Sequence, residues 1–502
     1  MPEIAELLER TTPRRPQAFE VAELARRGRR RRLRRQVGTG LGAVAVVAAA
    51  AGLGLVAPGD EGQVVASRPP TGELAEAFAA AAEPIGTWEQ VADPPFSPRM
   101  GAFTGTTSDG RVVVWGGADA IEGEPWPLAD GGIFDPEANT WEIIPPAPTP
   151  GVANFTMAQI QLAEDRLLVL GTPDDAGFAA AVYDLGAQTW TDVQAPPTIE
   201  LPIDGVMWTG NSLVLAQLFR FDPVEGAFAR VPVVERWSLA SGEWKAGAEP
   251  PLAPRRGAAV AFDGSRIGVW GGSNDRLLDD GAIYDIAADR WEAMAPGPLP
   301  PTAAAAAVWL GGDLVVSGGQ VPQGDMPSTG MVSGYPEDMP GLMLVPSTAG
   351  PAVYDADAKT WGALLEAPTT RYDTEMGVPY RVFDDPEKSF LAVEPRESGP
   401  LPIHVYDEVT RTWLEAPLPD LHTVDGTLIA TSRTRGGPGN APFEVQVLAG
   451  SVWEPATEAP FVNRMDAGVA VTGQDLLVVG GAEGPDLEIT GDAWLLRFDA
   501  RD

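Results

Sequence analysis

A chain of 502 residues that has no cysteine and a formal net charge of −35 excludes several kinds of protein. Disulfides, thiolate nucleophiles and cysteine-ligated zinc all require cysteine, and a strongly acidic body disfavours nucleic acid and anionic lipid as partners. The 57 glycines, 49 prolines and 15 tryptophans indicate many short strands joined by tight turns. Arginine almost entirely replaces lysine, a bias that favours a GC-rich bacterial, actinobacterial-like source.

Residues 1–36 are predicted to be a basic cytoplasmic segment. They hold 11 arginines and 5 glutamates, and most of these arginines fall between Arg26 and Arg35. Two short amphipathic stretches precede the arginine run, so a cytoplasmic partner for residues 1–35 stays open. The alternative is that the basic segment serves only membrane topology and lipid contact.

Residues 37–57 are predicted to form one transmembrane helix. No ionisable side chain occurs between Gln36 and Gly59. A helix over 37–57, rising about 1.5 Å per residue, matches the ~30 Å hydrocarbon thickness of a bilayer. The arginines on its N-terminal side predict that this end is cytoplasmic and that the acidic body lies outside. The alternative is a cleaved secretory signal, and residues 58–85 follow as a linker.

From about residue 86 to the last residue, one unit of near 50 residues recurs, and Pro254–Pro296 is its clearest copy. Its landmarks are a glycine pair after an apolar run and an aromatic–Asp pair whose Asp lies six residues before a Trp, and individual copies keep one or both of them. The glycine pairs are Gly116-Gly117, Gly271-Gly272, Gly318-Gly319 and Gly480-Gly481. The aromatic–Asp pairs and their tryptophans are Phe134-Asp135 with Trp141, Tyr183-Asp184 with Trp190, Tyr284-Asp285 with Trp291, Tyr354-Asp355 with Trp361, and Tyr406-Asp407 with Trp413.

This combination of landmarks resembles the kelch repeat, in which each unit forms one four-stranded blade of a β-propeller. The resemblance implies an all-β domain over residues 86–502, preceded by the single transmembrane helix. Counting Trp88, the five tryptophans above and the degenerate copies at Trp244 and Trp453 predicts eight blades. Seven remains the alternative because two units are degenerate.

The two ends of the repeat region predict how the propeller closes. The last unit contains Phe498-Asp499 but ends before a Trp, whereas Trp88 has no aromatic–Asp pair before it. We therefore expect the N-terminal strand around Trp88 to complete the last blade, which leaves no open edge. The glycines and tryptophans are interpreted as structural, because glycine permits close backbone approach and tryptophan buries a large area.

Four arginines that open their units are candidate binding residues: Arg99, Arg255, Arg371 and Arg464. A guanidinium near the propeller axis holds a carboxylate through two parallel hydrogen bonds. The alternative interpretation is that these arginines brace carboxylates between blades.

An insertion between Gln320 and Gly350 provides the second group of candidates, Met331, Met339 and Tyr335. Inserted loops are frequent functional sites, and methionine with an aromatic residue forms an adaptable contact surface. A loop folded over one face is the alternative. The acidic loop with Asp275, Asp279 and Asp280 lacks a recognised calcium-ligand spacing, so it is interpreted as solvated.

Three functions are compatible with this sequence. The favoured one is a non-catalytic module outside the cell that binds a glycan or a protein, since no catalytic constellation stands out. A mutarotase-like enzyme that holds an acidic sugar through the unit-opening arginines is the second, and a signalling protein with a cytoplasmic partner is the third. Copper oxidase chemistry of the galactose-oxidase type is excluded, because the chain lacks cysteine and its only histidines are His404 and His422. No cofactor or metal is predicted.

Overall fold

The computed structural model describes most of the repeat region. The described residues are 17–19, 84, 86–119, 128–148, 159–171, 178–199, 203–219, 232–274, 276–303, 305–310, 312–317, 319–327, 342–346, 352–364, 383–384, 389–390, 392–393, 403–407, 412–416, 418, 420–424, 427–432, 442–449, 452–473, 475–484 and 488–498. The predicted span 37–57 and the candidates Arg371, Met331, Tyr335, Met339 and Gly318 lie outside them. Within the described residues no helix has the length and apolar character needed to cross a membrane.

Every regular element of the described residues is a β-strand. The first two are β1 (Gln17–Phe19) and β2 (Thr87–Gln90), which both join sheets formed by later residues. Four sheets with consecutive antiparallel strands follow. Sheet one contains β3 (Phe103–Thr106), β4 (Val112–Trp115), β5 (Gly131–Asp135) and β6 (Thr140–Ile144); sheet two contains β7 (Gln159–Ala163), β8 (Arg166–Gly171), β9 (Ala179–Asp184) and β10 (Thr189–Val193). Sheet three contains β11 (Gly205–Trp208), β12 (Ser212–Gln217), β13 (Val233–Ser238) and β14 (Glu243–Ala246); sheet four contains β15 (Ala259–Phe262), β16 (Arg266–Trp270), β17 (Gly281–Asp285) and β18 (Arg290–Ala293).

The second half of the chain continues the pattern with interruptions. Sheet five contains β19 (Ala306–Leu310), β20 (Asp313–Ser317), β23 (Ala352–Asp355) and β24 (Thr360–Leu364), with the hairpin β21 (Gln320–Pro327) and β22 (Leu342–Pro346) inserted. A two-stranded pair, β25 (Phe383–Asp384) and β26 (Ser389–Phe390), precedes sheet six, which contains β27 (Ala392–Val393), β28 (Ile403–Asp407) and β29 (Thr412–Ala416). Sheet seven contains β30 (Asp420–Val424), β31 (Thr427–Thr431), β32 (Val445–Ala449) and β33 (Val452–Pro455). Sheet eight contains β34 (Gly468–Thr472), β35 (Asp475–Val479) and β38 (Ala493–Arg497), with the pair β36 (Ala482–Glu483) and β37 (Glu488–Ile489) between the last two.

Two of these sheets take a strand from the N-terminal part of the chain. In sheet eight, β2 pairs antiparallel with β38, with Thr87 opposite Arg497 and Trp88 opposite Leu496. In sheet five, β1 pairs parallel with β24, with Ala18 opposite Ala363. The described part is therefore all-β, and six of its sheets have four antiparallel strands.

The hydrophobic core is divided among the junctions between neighbouring sheets. Val113 and Leu167, for example, are fully buried in the cluster between sheets one and two, and Val114 and Leu477 in the cluster between sheets eight and one. Equivalent clusters lie between sheets two and three, three and four, four and five, and seven and eight. Burial on both faces explains why second strands such as β4 are continuous apolar runs.

Six of the repeat tryptophans join their sheet to the one before it, among the described residues. The indole N–H of Trp141 donates to the carbonyl of Ala92 at 2.7 Å, and that of Trp190 donates to Pro145 at 2.9 Å. The same bond occurs from Trp244 to Gln194 at 2.8 Å, from Trp291 to Ala248 at 2.9 Å, from Trp361 to Ala295 at 2.8 Å and from Trp88 to Thr457 at 2.9 Å. Every acceptor lies four residues after the tryptophan of the preceding sheet.

Trp453 lacks this bond among the described residues. Its indole N–H is buried and has no hydrogen-bond partner there. Four residues after Trp413, the tryptophan of sheet six, stands Pro417, which lies outside the described residues.

At two junctions a second bond holds the same residue. The side-chain oxygen Oδ1 of Asn139 accepts the Ala92 N–H at 2.8 Å, and Oδ1 of Asp289 accepts the Ala248 N–H at 2.8 Å. The Tyr284 hydroxyl donates a hydrogen bond to Oδ1 of Asp289 at 2.7 Å. This bond is the largest of the causes that lower the pKa of the Asp289 carboxyl to about 2. Asn139 and Asp289 have φ values of 52° and 50°, a left-handed conformation that Asn and Asp tolerate better than most residues.

The aromatic–Asp pairs and the glycine pairs lie at strand pairings and turns. Each aromatic residue lies directly opposite its tryptophan on the next strand, as Phe134 does opposite Trp141, with ring centroids 5.0 Å apart. Asp135 Oδ1 accepts the turn amides of Glu137 and Ala138, both at 2.9 Å. Gly117 has a φ of 89°, and a Cβ there would approach the Met100 carbonyl oxygen to 2.6 Å, so only glycine fits.

Replacement of Trp88 by alanine tests the contribution of β2 to sheet eight. The Trp88 ring packs edge-on against Phe461 at 5.1 Å and Phe443 at 6.2 Å, and its N–H is bonded to Thr457. We expect Trp88→Ala to lower the free energy of unfolding by about 3 kcal/mol, because it leaves a cavity between sheets seven and eight. The matched variant Trp88→Phe keeps a ring and loses the hydrogen bond, so a loss of about 1 kcal/mol is expected. Chemical denaturation measures both, and an unchanged stability of Trp88→Ala would contradict the role of this strand.

Candidate functional site

The strands of each sheet run between two opposite ends of the sheet. Because neighbouring strands are antiparallel, successive connections lie alternately at one end and at the other, and the connections at the two ends differ. We call the end with the short turns between first and second strands and between third and fourth strands the turn face, residues 107–111 and 136–139 in sheet one. The opposite end, which we call the loop face, carries the connections between second and third strands and between successive sheets, residues 116–130 and 194–204 for example. On the turn face the Ser108 N–H donates to Asp165 Oδ1 at 2.8 Å, so the turns of sheets one and two lie together. On the loop face the Gly481 N–H donates to the Arg99 carbonyl at 2.9 Å, so the loops of sheets eight and one lie together.

Three of the predicted arginines lie at the loop face with nearly identical surroundings. Arg255 binds both oxygens of Asp280, with Nη1 to Oδ1 at 2.8 Å and Nη2 to Oδ2 at 3.1 Å. Its Nη1 also donates to the carbonyl of Gly271 at 3.1 Å, and its Nε donates to the carbonyl of Ala253 at 3.0 Å. The guanidinium therefore binds the glycine pair, the loop before the first strand and the start of the third strand in one sheet.

Arg464 and Arg99 repeat this arrangement in sheets eight and one. Arg464 binds both oxygens of Asp492, at 2.7 and 2.9 Å, and its Nε donates to Glu483 at 3.3 Å. Arg99 donates to Asp130 Oδ1 at 2.9 Å and to the Asp130 carbonyl at 2.8 Å. Burial opposes ionisation of Asp492, yet the hydrogen bonds from Arg464 and Trp494 outweigh it and lower the pKa of this carboxyl. Burial lowers the pKa of Arg99, and the hydrogen bond that Arg99 donates to the Asp130 carboxylate opposes that change.

In each of these pairs the arginine is buried and the aspartate is the partner that is accessible to solvent. The side chains of Arg99, Arg255 and Arg464 are 2%, 0% and 4% exposed, whereas Asp130, Asp280 and Asp492 are 36%, 55% and 25% exposed. A ligand at this surface therefore meets the carboxylates, and the arginine nitrogens bind groups of their own sheets. Arg371, the fourth predicted arginine, lies outside the described residues.

The aspartates that bind the arginines were missing from the sequence-based candidates. Each stands four residues before the residue opposite the tryptophan: Asp130 before Phe134, Asp280 before Tyr284 and Asp492 before Leu496. Among the described units, those with the opening arginine have Asp at this position. Counting back from the aromatic residue identifies Asp130 and Asp280, but in the last unit the corresponding position is Leu496, so the sequence does not mark Asp492 in this way. The distance from arginine to aspartate varies with loop length.

The insertion in sheet five begins at the loop face and contains a two-stranded hairpin. Strand β20 ends at this face, and β21 and β22 then pair with each other as a two-stranded sheet, with Val321 opposite Val345. We call β21 and β22 the finger. Two of the insertion's methionines, Met326 and Met343, lie on these strands, while the candidates Met331, Tyr335 and Met339 lie outside the described residues.

The turn face has a groove that the sequence did not predict. It lies at the junction of sheets eight and one and encloses about 770 Å³. Asp109, Arg111, Glu137, Asp475 and Arg497 are among the residues that line it. Arg497 is bonded to Glu89 at 2.9 Å and to Asp475 at 3.1 Å, and Arg111 is bonded to Asp109 at 2.9 Å. The groove thus brings together residues from opposite ends of the repeat region.

The two histidines and the acidic loops offer little for metal chemistry in the described part of the chain. No group of three or more His, Asp or Glu side chains there is placed to hold a metal ion. His422 lies 3.2 Å from Thr431 Oγ1, and burial lowers the pKa of its imidazole to about 4, so it is neutral near pH 7. His404 lies on β28, and Asp275 of the acidic loop lies outside the described residues.

The fold defines an all-β protein built from four-stranded antiparallel sheets that pack through shared hydrophobic clusters. No protein-family model matches the chain, and no curated protein matches it in sequence.

Substitution of Arg255 separates bracing from ligand binding. Arg255→Ala removes the donor to the buried Gly271 carbonyl and to the Ala253 carbonyl and leaves a cavity at a fully buried side chain, and we expect a loss of about 3 kcal/mol of unfolding free energy in urea. Arg276, an exposed arginine on the same face, provides the control, and Arg276→Ala is expected to change stability by less than about 0.5 kcal/mol. If Arg255→Ala kept its stability and lost ligand binding, the arginine would be a ligand contact instead.

Proposed function

We propose that residues 86–502 form a kelch-type β-propeller of eight blades, closed by the strand around Trp88, that acts as a non-catalytic binding module outside the cell. The bond from each tryptophan to the preceding sheet supports a ring. Trp141 of sheet one bonds the residue that follows β2 in sheet eight, and Trp88 in sheet eight bonds sheet seven. First strands of neighbouring sheets also lie against each other, including β3 of sheet one and β34 of sheet eight.

The membrane anchor of this proposal is the uncharged stretch 37–57. The arginine-rich segment before it favours a cytoplasmic N-terminus, and the acidic body favours export. Basic residues 1–36 then lie in the cytoplasm and residues 58–85 connect the anchor to the propeller. Release after signal cleavage is the alternative localisation, and it also delivers the propeller to the outside.

Binding without catalysis is favoured by one observation, the burial of the arginines. An enzyme that holds an acidic sugar through Arg99, Arg255 and Arg464 needs their nitrogens at the surface, and these nitrogens bond to their own sheets. The loop face instead presents aspartates and the finger. A protein or glycan ligand that contacts this surface is the best-supported partner.

A binding screen with the purified full chain tests the module. We expect at least one component of a glycan and cell-wall-fragment array, or of a panel of defined peptides, to bind. Replacing residues 322–344 by a Gly-Ser turn is expected to weaken that binding at least tenfold with no change in melting temperature. Glu137→Ala, an exposed change on the turn face, is the control and leaves binding intact. Turnover of an acidic sugar that persists without the finger would contradict the proposal and favour the enzyme.

The strand pairing of β1 with β24 makes the topology testable. Residues 17–19 precede the proposed span, so in an anchored molecule they lie on the other side of the membrane from Gly362–Leu364, and β1 leaves sheet five. Because the chain has no cysteine, single cysteines report location without background. With a membrane-impermeant maleimide on intact cells, we expect Ala138→Cys to be labelled and Ala5→Cys to be labelled only after lysis.

A chain that is not anchored through residues 37–57 would give a different result. In the double variant Ala18→Cys and Ala363→Cys, a disulfide that forms in the full-length chain would show that β1 stays on sheet five. That result would contradict the anchor. Recovery of a shortened chain in the medium, without the N-terminal residues, would show signal cleavage.

A further inference from the structure

Sheet five carries a strand beyond its outer strand. We call the strand with the repeat tryptophan the outer strand of each sheet, and in sheet five this is β24. β1 lies beside β24 and pairs with it in parallel, with Gln17 opposite Gly362 and Phe19 opposite Leu364. The pairings among the other strands of this sheet are antiparallel. No other sheet of the described residues has a strand added to its outer strand, so β1 lies outside the repeat pattern.

The sequence of β24 distinguishes its edge from those of the other sheets. It reads Thr-Trp-Gly-Ala-Leu, whereas the outer strands of the other seven described sheets each contain a charged residue. Five of those strands have the charge directly after the tryptophan, where β24 has Gly362: Glu89, Glu142, Lys245, Glu292 and Glu454. A charged side chain on an outer strand discourages a further strand from pairing with it. The edge of sheet five lacks this protection, and β1 is paired there.

From these two observations we propose that the outer edge of sheet five is a strand-addition site, which binds an extended, uncharged segment of another polypeptide parallel to β24. The inference rests on the membrane anchor proposed above, because anchoring takes β1 to the other side of the membrane and opens this edge. It adds a binding surface that is separate from the loop face. A glycan has no peptide backbone to continue a sheet, so the partner at this edge is a protein.

The pairing with β1 indicates the chemistry of the added segment. Gln17, Ala18 and Phe19 carry no charge, and neither do the three residues opposite them. A charged residue in the added segment would lie against an uncharged strand, and its desolvation would oppose pairing. Backbone hydrogen bonds along β24 supply the affinity of such a complex, and the side chains of the added segment supply its selectivity.

Disulfide trapping of a peptide tests the site, because the protein has no cysteine of its own. The probe is a synthetic peptide with the sequence of residues 16–22 and cysteine in place of Ala18. It is added to vesicles that contain the full-length chain with the substitution Ala363→Cys. We expect a mixed disulfide, because positions 18 and 363 lie opposite each other in the paired strands. The yield is measured relative to labelling by a membrane-impermeant maleimide, which counts the accessible thiols.

The control variant carries its cysteine at the same position of another outer strand. Ala246 stands two residues after Trp244 in sheet three, as Ala363 stands two residues after Trp361 in sheet five. Its strand contains Glu243 and Lys245, so the edge is protected. We expect the Ala246→Cys chain to give about tenfold less mixed disulfide than the Ala363→Cys chain.

A second substitution restores to β24 the charge that other outer strands carry. Gly362→Glu places a glutamate directly after the tryptophan, where sheet four has Glu292. In the Ala363→Cys chain we expect this change to lower the yield of mixed disulfide about tenfold, because the charge opposes strand addition. The melting temperature is expected to stay the same, which separates a closed edge from an unfolded sheet.

Three results overturn the inference, and they are distinguishable. Equal yields from Ala363→Cys and Ala246→Cys would show that sheet five does not select the peptide, and the anchor would stand. Disulfide-linked dimers that form without peptide, and only in the Ala363→Cys chain, would show that a second copy occupies the edge. If the double variant Ala18→Cys and Ala363→Cys closes a disulfide within one vesicle-bound chain, β1 still occupies the edge, and the anchor and the inference are both wrong.

Discussion

The hydrogen bond from a tryptophan indole to the backbone of the preceding sheet is the interaction on which the rest of the structure depends. It occurs at six junctions of the described residues, and each acceptor stands four residues after the preceding tryptophan. An isolated four-stranded sheet with apolar residues on both faces cannot bury them alone. The bond fixes how far each sheet slides along its neighbour, and so it aligns the apolar residues that form the shared clusters.

The same constraint separates structural from functional residues. Arg255 and its equivalents looked suited to a ligand because arginine binds carboxylates in pairs of hydrogen bonds. In the folded chain that capacity is used by Asp280 within the same sheet. A charge-assisted pair at the loop face then holds the glycine pair against the third strand, while the aspartate stays at the surface. The repeat does not require the finger, which is an addition to sheet five.

The place where β2 joins sheet eight makes one junction between sheets different from the others. The described sheets resemble one another, yet the junction of sheets eight and one differs because two distant chain segments meet there. Its groove, lined by Asp475 and Arg497 from one end and Asp109 and Arg111 from the other, is a consequence of that meeting.

The sequence by itself determined the local units. The spacing of Asp135 and Trp141 follows from a capped turn between two paired strands, so it is visible in any one repeat. The pairing of β2 with the last unit was also predictable, but its register was not: Trp88 lies opposite Leu496, two residues before the predicted Phe498. Only the tertiary structure decided that Arg255 is buried, that Trp141 bonds Ala92, and that a groove forms between the first and last sheets. These contacts join residues across loops of variable length or from different units. The spacing of residues along the sequence does not tell which side of a sheet packs against which neighbouring sheet.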